Sequence, residues 1–342
     1  MLHKLTALVL TLALLLSGCT LPEKEQPKKQ YQATFLTLFD TVTFISGLAK
    51  SEEAFQARAQ QVHDQLLVYH QLFDIYNDYD GLSNLKTVND NAGLSPVVVD
   101  EIIIRFLTDC KAYYELTGHT VNVAMGSVLS LWHEARTEGI NDPANAALPD
   151  RQALEEASRH ASWDDVIIDS EKSTVYLADP LLRLDVGAVA KGWAVQQVAR
   201  SAPTGLLISV GGNVCATGPK DDSGKAWVVG ITDPDGGDYL HTLNITDLAI
   251  VTSGDYQRYY VVDGKTYHHI IDPETLMPAD RWRSVTIACR DSGLADALST
   301  ALFLLPREEG QELLEKCGAD AMWLDAQGNR YYSPGFRELI RT

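Results

Sequence analysis

Between residues 52 and 73 the side chains Phe55, Ala59, Val62, Leu66, Tyr69 and Phe73 recur three or four positions apart. That period places them on one stripe of an α-helix. Residues 100–116 also read as helix, and shorter helices are predicted at 127–136, which carries Trp132, and at 152–161. Residues 76–91 break into Asn, Asp and Gly, which predicts a long surface loop. Beyond residue 165 the pattern changes to short β-like runs at 166–169, 174–177, 206–210, 227–231, 249–252, 258–262 and 284–288. They come in pairs joined by turn residues such as Asp263-Gly264, which suit the backbone of a tight antiparallel hairpin. Grouped strands with flanking helices predict an α+β fold, a single large domain of mainly antiparallel sheet, and not a regular βαβ winding.

The first thirty residues follow different rules. Lys4 supplies a positive start, residues 5–16 are an apolar run, and Leu16-Ser17-Gly18-Cys19 follows. The run is shorter than the roughly 20 apolar residues a membrane-spanning helix needs, so residues 1–18 are expected to be a signal peptide. Leu-Ser-Gly-Cys resembles the bacterial lipobox, which implies a diacylglyceryl group on Cys19. An ordinary secretory signal with an incidental cysteine is the alternative. Residues 19–30 are rich in Lys, Glu, Gln and Pro and are expected to form a solvated tether, with the folded body at 31–342. The expected location is outside the cytoplasm, lipid-anchored to the bacterial cell membrane, since two acyl chains hold where one is marginal.

Forty-six acidic against 28 basic residues give a net charge of −18. No basic stripe is available for nucleic acid. An anionic substrate must therefore meet a local device, such as a metal, a glycine-rich amide nest or a few chosen cations. After Cys19 the cysteines are Cys110, Cys215, Cys289 and Cys317, with no C-x-x-C and no nearby His in ligand spacing, which argues against zinc. An exported setting leaves a disulfide and buried thiols both open.

Four clusters bear on chemistry. Leu184-Asp185-Val186-Gly187-Ala188-Val189-Ala190-Lys191-Gly192 reads as a strand entering a helix, whose free N–H groups suit an anion, or as a turn built for close helix packing. Residues 205–213 are an apolar strand ending in Gly211-Gly212-Asn213, an amide nest or a plain hairpin. Thr252-Ser253-Gly254-Asp255-Tyr256-Gln257-Arg258 precedes a hairpin and then Tyr267-His268-His269-Ile270-Ile271-Asp272-Pro273. Adjacent strand residues point to opposite faces, so one histidine at most aims into a given cleft, as a general base or as a packed bystander. Finally, Asp296 and Thr300 stand at i and i+4 of a helical stretch. They form a hard-oxygen pair suited to Mg²⁺, or else an Asp serving the helix dipole beside a Thr bonded back to a carbonyl.

In order and spacing, Leu-Asp-Val-Gly-Ala-Val-Ala-Lys-Gly at 184–192, Gly-Gly at 211–212, Thr-Ser-Gly-Asp-Tyr at 252–256, His-His-Ile-Ile-Asp-Pro at 268–273 and Ala-Asp-Ala-Leu-Ser-Thr at 295–300 resemble the FAD:protein FMN transferase, or ApbE, family. The likeness extends upstream to Phe39-Asp40-Thr41-Val42, Phe73-Asp74-Ile75-Tyr76 and residues 118–132. The resemblance implies a T-fold-like domain over residues 31–342 that uses Mg²⁺ to transfer the FMN half of FAD onto a Thr or Ser of a target protein. By the same resemblance, Mg²⁺ is expected at Asp296, Thr300 and the backbone of Ala188. Flavin contacts are expected at Phe39, Tyr76, Val121, Asn122, Asp185, Lys191 and Ile270, with His269 as base. The expected partners are FAD, a flavin-accepting redox protein with an FMN-binding domain, and the membrane through the lipid. Phe39-Asp40-Thr41 stands where the family commonly has Met-Gly-Thr, and Asn122 where it has Asp. With water as acceptor the same site becomes an FAD pyrophosphatase, and without turnover it is a flavin-binding lipoprotein.

Overall fold

The computed structural model describes residues 27–342. The expected signal peptide, Cys19 and most of the tether lie outside the described residues. The chain opens with a hairpin of β1 (Lys29–Leu38) and β2 (Thr41–Ala49), then helix α1 (Glu52–Phe73), the short α2 (Leu85–Asp90), strand β3 (Val97–Val98) and helices α3 (Glu101–Leu116), α4 (Gly126–Asn141) and α5 (Arg151–Ser158). Strands β4 (Val166–Asp169) and β5 (Thr174–Leu177) lead to α6 (Ala190–Ser201). Then come β6 (Leu206–Val210), β7 (Asn213–Ala216), β8 (Trp227–Ile231), β9 (His241–Ile245), β10 (Ala249–Gly254), β11 (Tyr259–Val262) and β12 (Lys265–His268). The chain ends with β13 (Ser284–Cys289), α7 (Ser292–Leu304), α8 (Arg307–Cys317), β14 (Asp320–Leu324), β15 (Arg330–Tyr332) and α9 (Pro334–Leu339).

Eight strands form one antiparallel sheet in the order β1-β2-β6-β7-β10-β13-β14-β15. Alternation decides what each face buries. Leu206, Ile208 and Val210 point to one side and pack with Phe55 and Leu66 of α1 and Val195 of α6. Ile250, Ala288 and Met322 point to the other, under Trp227 and Leu243 of the β8–β9 ribbon and Phe336 of α9. Val251, Val285 and Ile287 meet Leu298, Leu302 and Phe303 of α7, in a core that continues through α3 into the small β3-β5-β4 sheet. The β11–β12 hairpin packs separately on α4 through Tyr260 and Trp132. This is the α+β architecture that the periodicity predicts.

Helix α1 covers the residues of its apolar stripe, and Ser51 caps it by accepting from the Ala54 N–H at 3.2 Å. Elsewhere the structure departs from expectation. The stretch 76–91 is not all loop: Asn84 and Thr87 form a capping box that starts α2, and Leu85 and Val88 are buried. A six-residue helix is too short to display a period. Residues 184–186 are irregular and 187–189 form a turn, not a strand; Arg183 makes a single bridge to Met125, and Leu184 and Asp185 donate separately to the Asn89 side chain and the Val123 carbonyl. Helix α4 runs five residues beyond the predicted end at 136, through positions that are exposed except for Gly139 and so extend no apolar stripe. The tether boundary at residue 30 also needs correction, because Lys29 and Gln30 already pair with Ala49 and Leu48 in β1. An edge strand with one solvated face carries too few apolar residues to announce itself. Cys110, Cys215, Cys289 and Cys317 are free thiols, the first three buried.

Asn84 is fully buried; Oδ1 accepts from the Thr87 N–H at 3.0 Å and Nδ2 donates to the Asn77 carbonyl at 2.8 Å. Replacing it with Ala removes a cap and leaves a buried carbonyl unmatched. Asn84→Ala is expected to cost about 1–3 kcal/mol in urea denaturation; a change below about 0.3 kcal/mol would mean that α2 does not depend on this cap.

Candidate functional site

A cavity of about 890 Å³ opens beside the end of the main sheet. Its wall draws on the β1–β2 turn, the end of α1, residues 120–125, α4, the 185–191 segment, the β6–β7 turn, residues 252–258 and 269–271, and α7. Phe39, Tyr76, Val121, Asn122, Asp185, Lys191 and Ile270 all line it, as do Ala188, Asp296, Thr300 and His269. Eleven candidates from six stretches of sequence thus line one space.

At its inner pole lies Asp296, only 5% exposed. The reading of Asp296 as a residue serving its own helix dipole does not hold, because Asp291 caps α7 by accepting from Leu294 N–H at 2.9 Å. Instead Asp296 Oδ2 accepts the Gly192 N–H at 2.8 Å. Gly192 is in the first turn of α6, whose N-cap is Val189, a side chain with no acceptor. Asp296 thus caps a helix other than its own. The approach requires glycine: a Cβ at 192 would lie 2.3 Å from the Ser292 carbonyl oxygen and 2.4 Å from Asp296 Cβ. Burial raises the proton affinity of Asp296, and the Lys191 charge, the Gly192 N–H and the Asn213 carboxamide oppose it. Asn213 is 2% exposed, and its Nδ2 forms no well-aligned hydrogen bond among the described residues.

Thr300 does not bond back to its helix; the Asp296 carbonyl one turn earlier receives the Ser299 hydroxyl instead, at 2.8 Å. The Thr300 hydroxyl is left beside the cavity, along with the backbone of Ala188. A carboxylate, a free hydroxyl and a main-chain carbonyl form an all-oxygen donor set that fits Mg²⁺, an ion that keeps several positions for water or phosphate. Among the described residues no group of three His, Cys, Asp or Glu surrounds a metal position.

Two hairpin tips close one side. Phe39 and Asp40 have φ of 53° and 51°, and Gly211 and Gly212 have 55° and 93°. The Gly-Gly segment is thus a two-residue hairpin between β6 and β7, its amides used in part to pin the tips together, since Gly211 N–H donates to the Val42 carbonyl at 3.2 Å. A Cβ at 211 would sit 2.7 Å from the Thr41 side chain. Phe39 N–H donates to His70 Nδ1 at 3.2 Å, which seats its ring on the wall. Asp74 fixes the neighbouring turn, accepting from Tyr76 N–H at 2.7 Å, Asn77 N–H at 3.0 Å and the Tyr79 hydroxyl at 2.8 Å. Asn122 is held at both ends, donating to the Ala161 carbonyl and accepting from Ala124 N–H, each at 2.9 Å. An Asp could not make the first bond.

The histidines divide. His268 is 7% exposed and packs edge-on against Phe303; Nε2 donates to the Ala279 carbonyl at 2.7 Å and Nδ1 accepts from Ile270 N–H at 3.2 Å. Both nitrogens are spent. His269 lies on the cavity wall with Nδ1 3.3 Å from the Arg258 carbonyl. A carbonyl only accepts, so this contact places the hydrogen on Nδ1 and the lone pair on Nε2. Burial, then the charges of Arg258, His268, Lys191 and Arg136, push the His269 pKa down to about 3. Arg258, the last residue of the 252–258 cluster, shares the wall with His133 and Arg136, which carried no motif that singled them out.

The ApbE family model matches residues 36–323. An FAD:protein FMN transferase of Treponema pallidum is 35% identical over 280 residues, 76% of this chain and 75% of that protein. One from Klebsiella pneumoniae is 31% identical over 262 residues, 72% of this chain and 78% of its own length. Among solved structures, the ApbE protein of Thermotoga maritima superposes with a TM-score of 0.81 at 28% identity, covering 92% of this chain and 100% of that one. With a family model spanning most of its length and the same fold, this chain belongs to the ApbE family.

Proposed function

We propose that this chain is a Mg²⁺-dependent transferase that moves the FMN half of FAD onto a Thr or Ser hydroxyl of a target flavoprotein and releases AMP. The observation that carries the proposal is the oxygen pole of Asp296, Thr300 and Ala188 in the same cavity as a neutral, wall-facing histidine. When bound, Mg²⁺ supplies positive charge to the pyrophosphate oxygens. Phe39, Tyr76, Val121, Asn122, Asp185, Lys191 and Ile270 hold the flavin nucleotide in this scheme. The acceptor hydroxyl gives its proton to His269 Nε2 and its oxygen bonds the FMN-side phosphorus. The bond from that phosphorus to the bridging oxygen breaks, and AMP leaves with the electron pair. Lys191 stands beside both Asp296 and His269, and phosphate oxygens entering there oppose the cations that hold His269 down, lifting it toward a useful basicity. We further propose that the chain works outside the cytoplasm, attached through Cys19 to the membrane.

Asp296→Ala is expected to abolish transfer, measured as in-gel flavin fluorescence of an FMN-domain acceptor, and EDTA to do the same to the wild type. Transfer by the variant at the wild-type rate and with the same EDTA sensitivity would remove Asp296 from the metal site. His269→Ala should retain FAD binding and slow transfer by roughly 10²–10⁴; an unchanged rate at saturating FAD would move the base elsewhere.

The titration of His269 offers a separate check. Its folded pKa of about 3 lies below the unfolded value, so the unfolded chain binds the extra proton first and stability falls as pH drops below about 6.5 toward 3. Nuclear magnetic resonance of the ligand-free protein should show a neutral His269 ring at pH 5 and above. A midpoint near about 6.5 would contradict the enclosure by cations described here.

A further inference from the structure

Beyond the residues assigned to nucleotide and metal, the cavity wall carries a pair of guanidinium groups. Arg136 projects from α4 and Arg258 from the segment between β10 and β11. Arg136 Nη2 contacts His133 Nδ1 at 2.9 Å. Neither guanidinium forms an ion pair with a carboxylate among the described residues, in a chain of net charge −18. Burial and then the charge of Arg258 lower the proton affinity of Arg136, and the Asp185 carboxylate on the same wall opposes them only in part.

Position tells which anion they suit. Asp296 is 5% exposed, whereas Arg258 and His133 are exposed and Tyr76, whose ring lies 5.5 Å from that of His133, is 54% exposed. The arginines therefore lie at the mouth, and the oxygen pole lies deep. His269 stands between the two, feeling Lys191 on the inner side and Arg258 and Arg136 on the outer. A general base must come within hydrogen-bond reach of the hydroxyl it deprotonates. Any protein that offers a hydroxyl to His269 must thus lay its neighbouring residues across Arg258 and Arg136.

We propose that Arg136 and Arg258 form a docking rim for an acidic, hydroxyl-bearing segment of the acceptor protein, an inference that rests on the transferase function proposed above. The acidic remainder of the surface repels such a segment, so the rim both attracts it and orients it.

The test uses the full chain and an FMN-domain acceptor that the wild type labels, with initial rates followed against acceptor concentration at saturating FAD and from about 25 to about 300 mM NaCl. The double variant Arg136→Gln, Arg258→Gln is expected to raise the KM for acceptor about tenfold or more and to flatten its dependence on salt. Its Kd for FAD, read by flavin fluorescence, should stay within about threefold of wild type, and Arg136→Lys, Arg258→Lys should restore most of the acceptor KM. Loss of FAD affinity by about tenfold with the acceptor KM unchanged would overturn the proposal and assign the pair to the nucleotide. So would a Lys variant as impaired as the Gln variant. A wild type that labels no acceptor at all would instead refute the transferase function, which is a different result.

Discussion

A single contact between two helices organises this site: the carboxylate of Asp296 receiving the backbone N–H of Gly192 at 2.8 Å. Each partner lacks what the other provides. The first turn of α6 presents free N–H groups behind a valine that cannot accept them, and Asp296 is a nearly dehydrated carboxylate that must be compensated. The two meet only because residue 192 has no side chain; with any other residue the Ser292 carbonyl would be struck first. Once α6 and α7 are joined there, the surrounding positions follow from helix geometry. Lys191, one residue earlier, reaches the cavity, with Nζ on the Gly187 carbonyl at 3.0 Å. Thr300, one turn beyond Asp296, faces the same space.

The opposite wall is held by backbone conformations that cost free energy. Phe39 and Asp40 both occupy the left-handed region, at roughly 1–2 kcal/mol each for ordinary L-residues. Asp tolerates it better than most, which is how this chain keeps a tight turn without glycine. The tip is tied down by the Phe39 N–H bond to His70 and by the neighbouring Gly211-Gly212 hairpin, which packs on Thr41. Packing and hydrogen bonds thus offset local strain and set an aromatic ring on the wall.

Much of this was legible in the residues alone, and the exceptions share a cause. Helix α1 and the strands β4, β5, β6 and β8 follow from apolar spacing because each buries one continuous face or a whole short run. Helix α2 and strand β1 were not visible, since the first is held by a capping box and a few buried side chains and the second is an amphipathic edge. The 184–189 segment looks like a strand because its apolar residues are buried, yet they are buried in irregular chain and a turn between α4 and α6. The motif residues do converge on one cavity. What no motif disclosed was the capping role of Asp296, since it depends on a backbone group 104 positions away. The division of labour between His268 and His269 needed coordinates too: only the Ala279 carbonyl and the Ile270 N–H show that the first ring is fully engaged.

Charge placement joins fold to chemistry. A chain with a large acidic excess has gathered Lys191, Arg136 and Arg258 around His269 and, among the described residues, left the two arginines without an ion pair. In the free protein this arrangement is unfavourable in itself, because like charges in a partly dehydrated wall repel; burial first, and then those charges, keep the imidazole unprotonated. Asp185, on the same wall, offsets part of that repulsion, and an entering anion offsets more. Under the proposed function, a neutral His269 before substrate arrives and a more basic one after phosphate enters are two states of one electrostatic balance. If His269 is the base proposed above, it gains strength when its substrate is in place, which ties proton transfer to the occupied cavity.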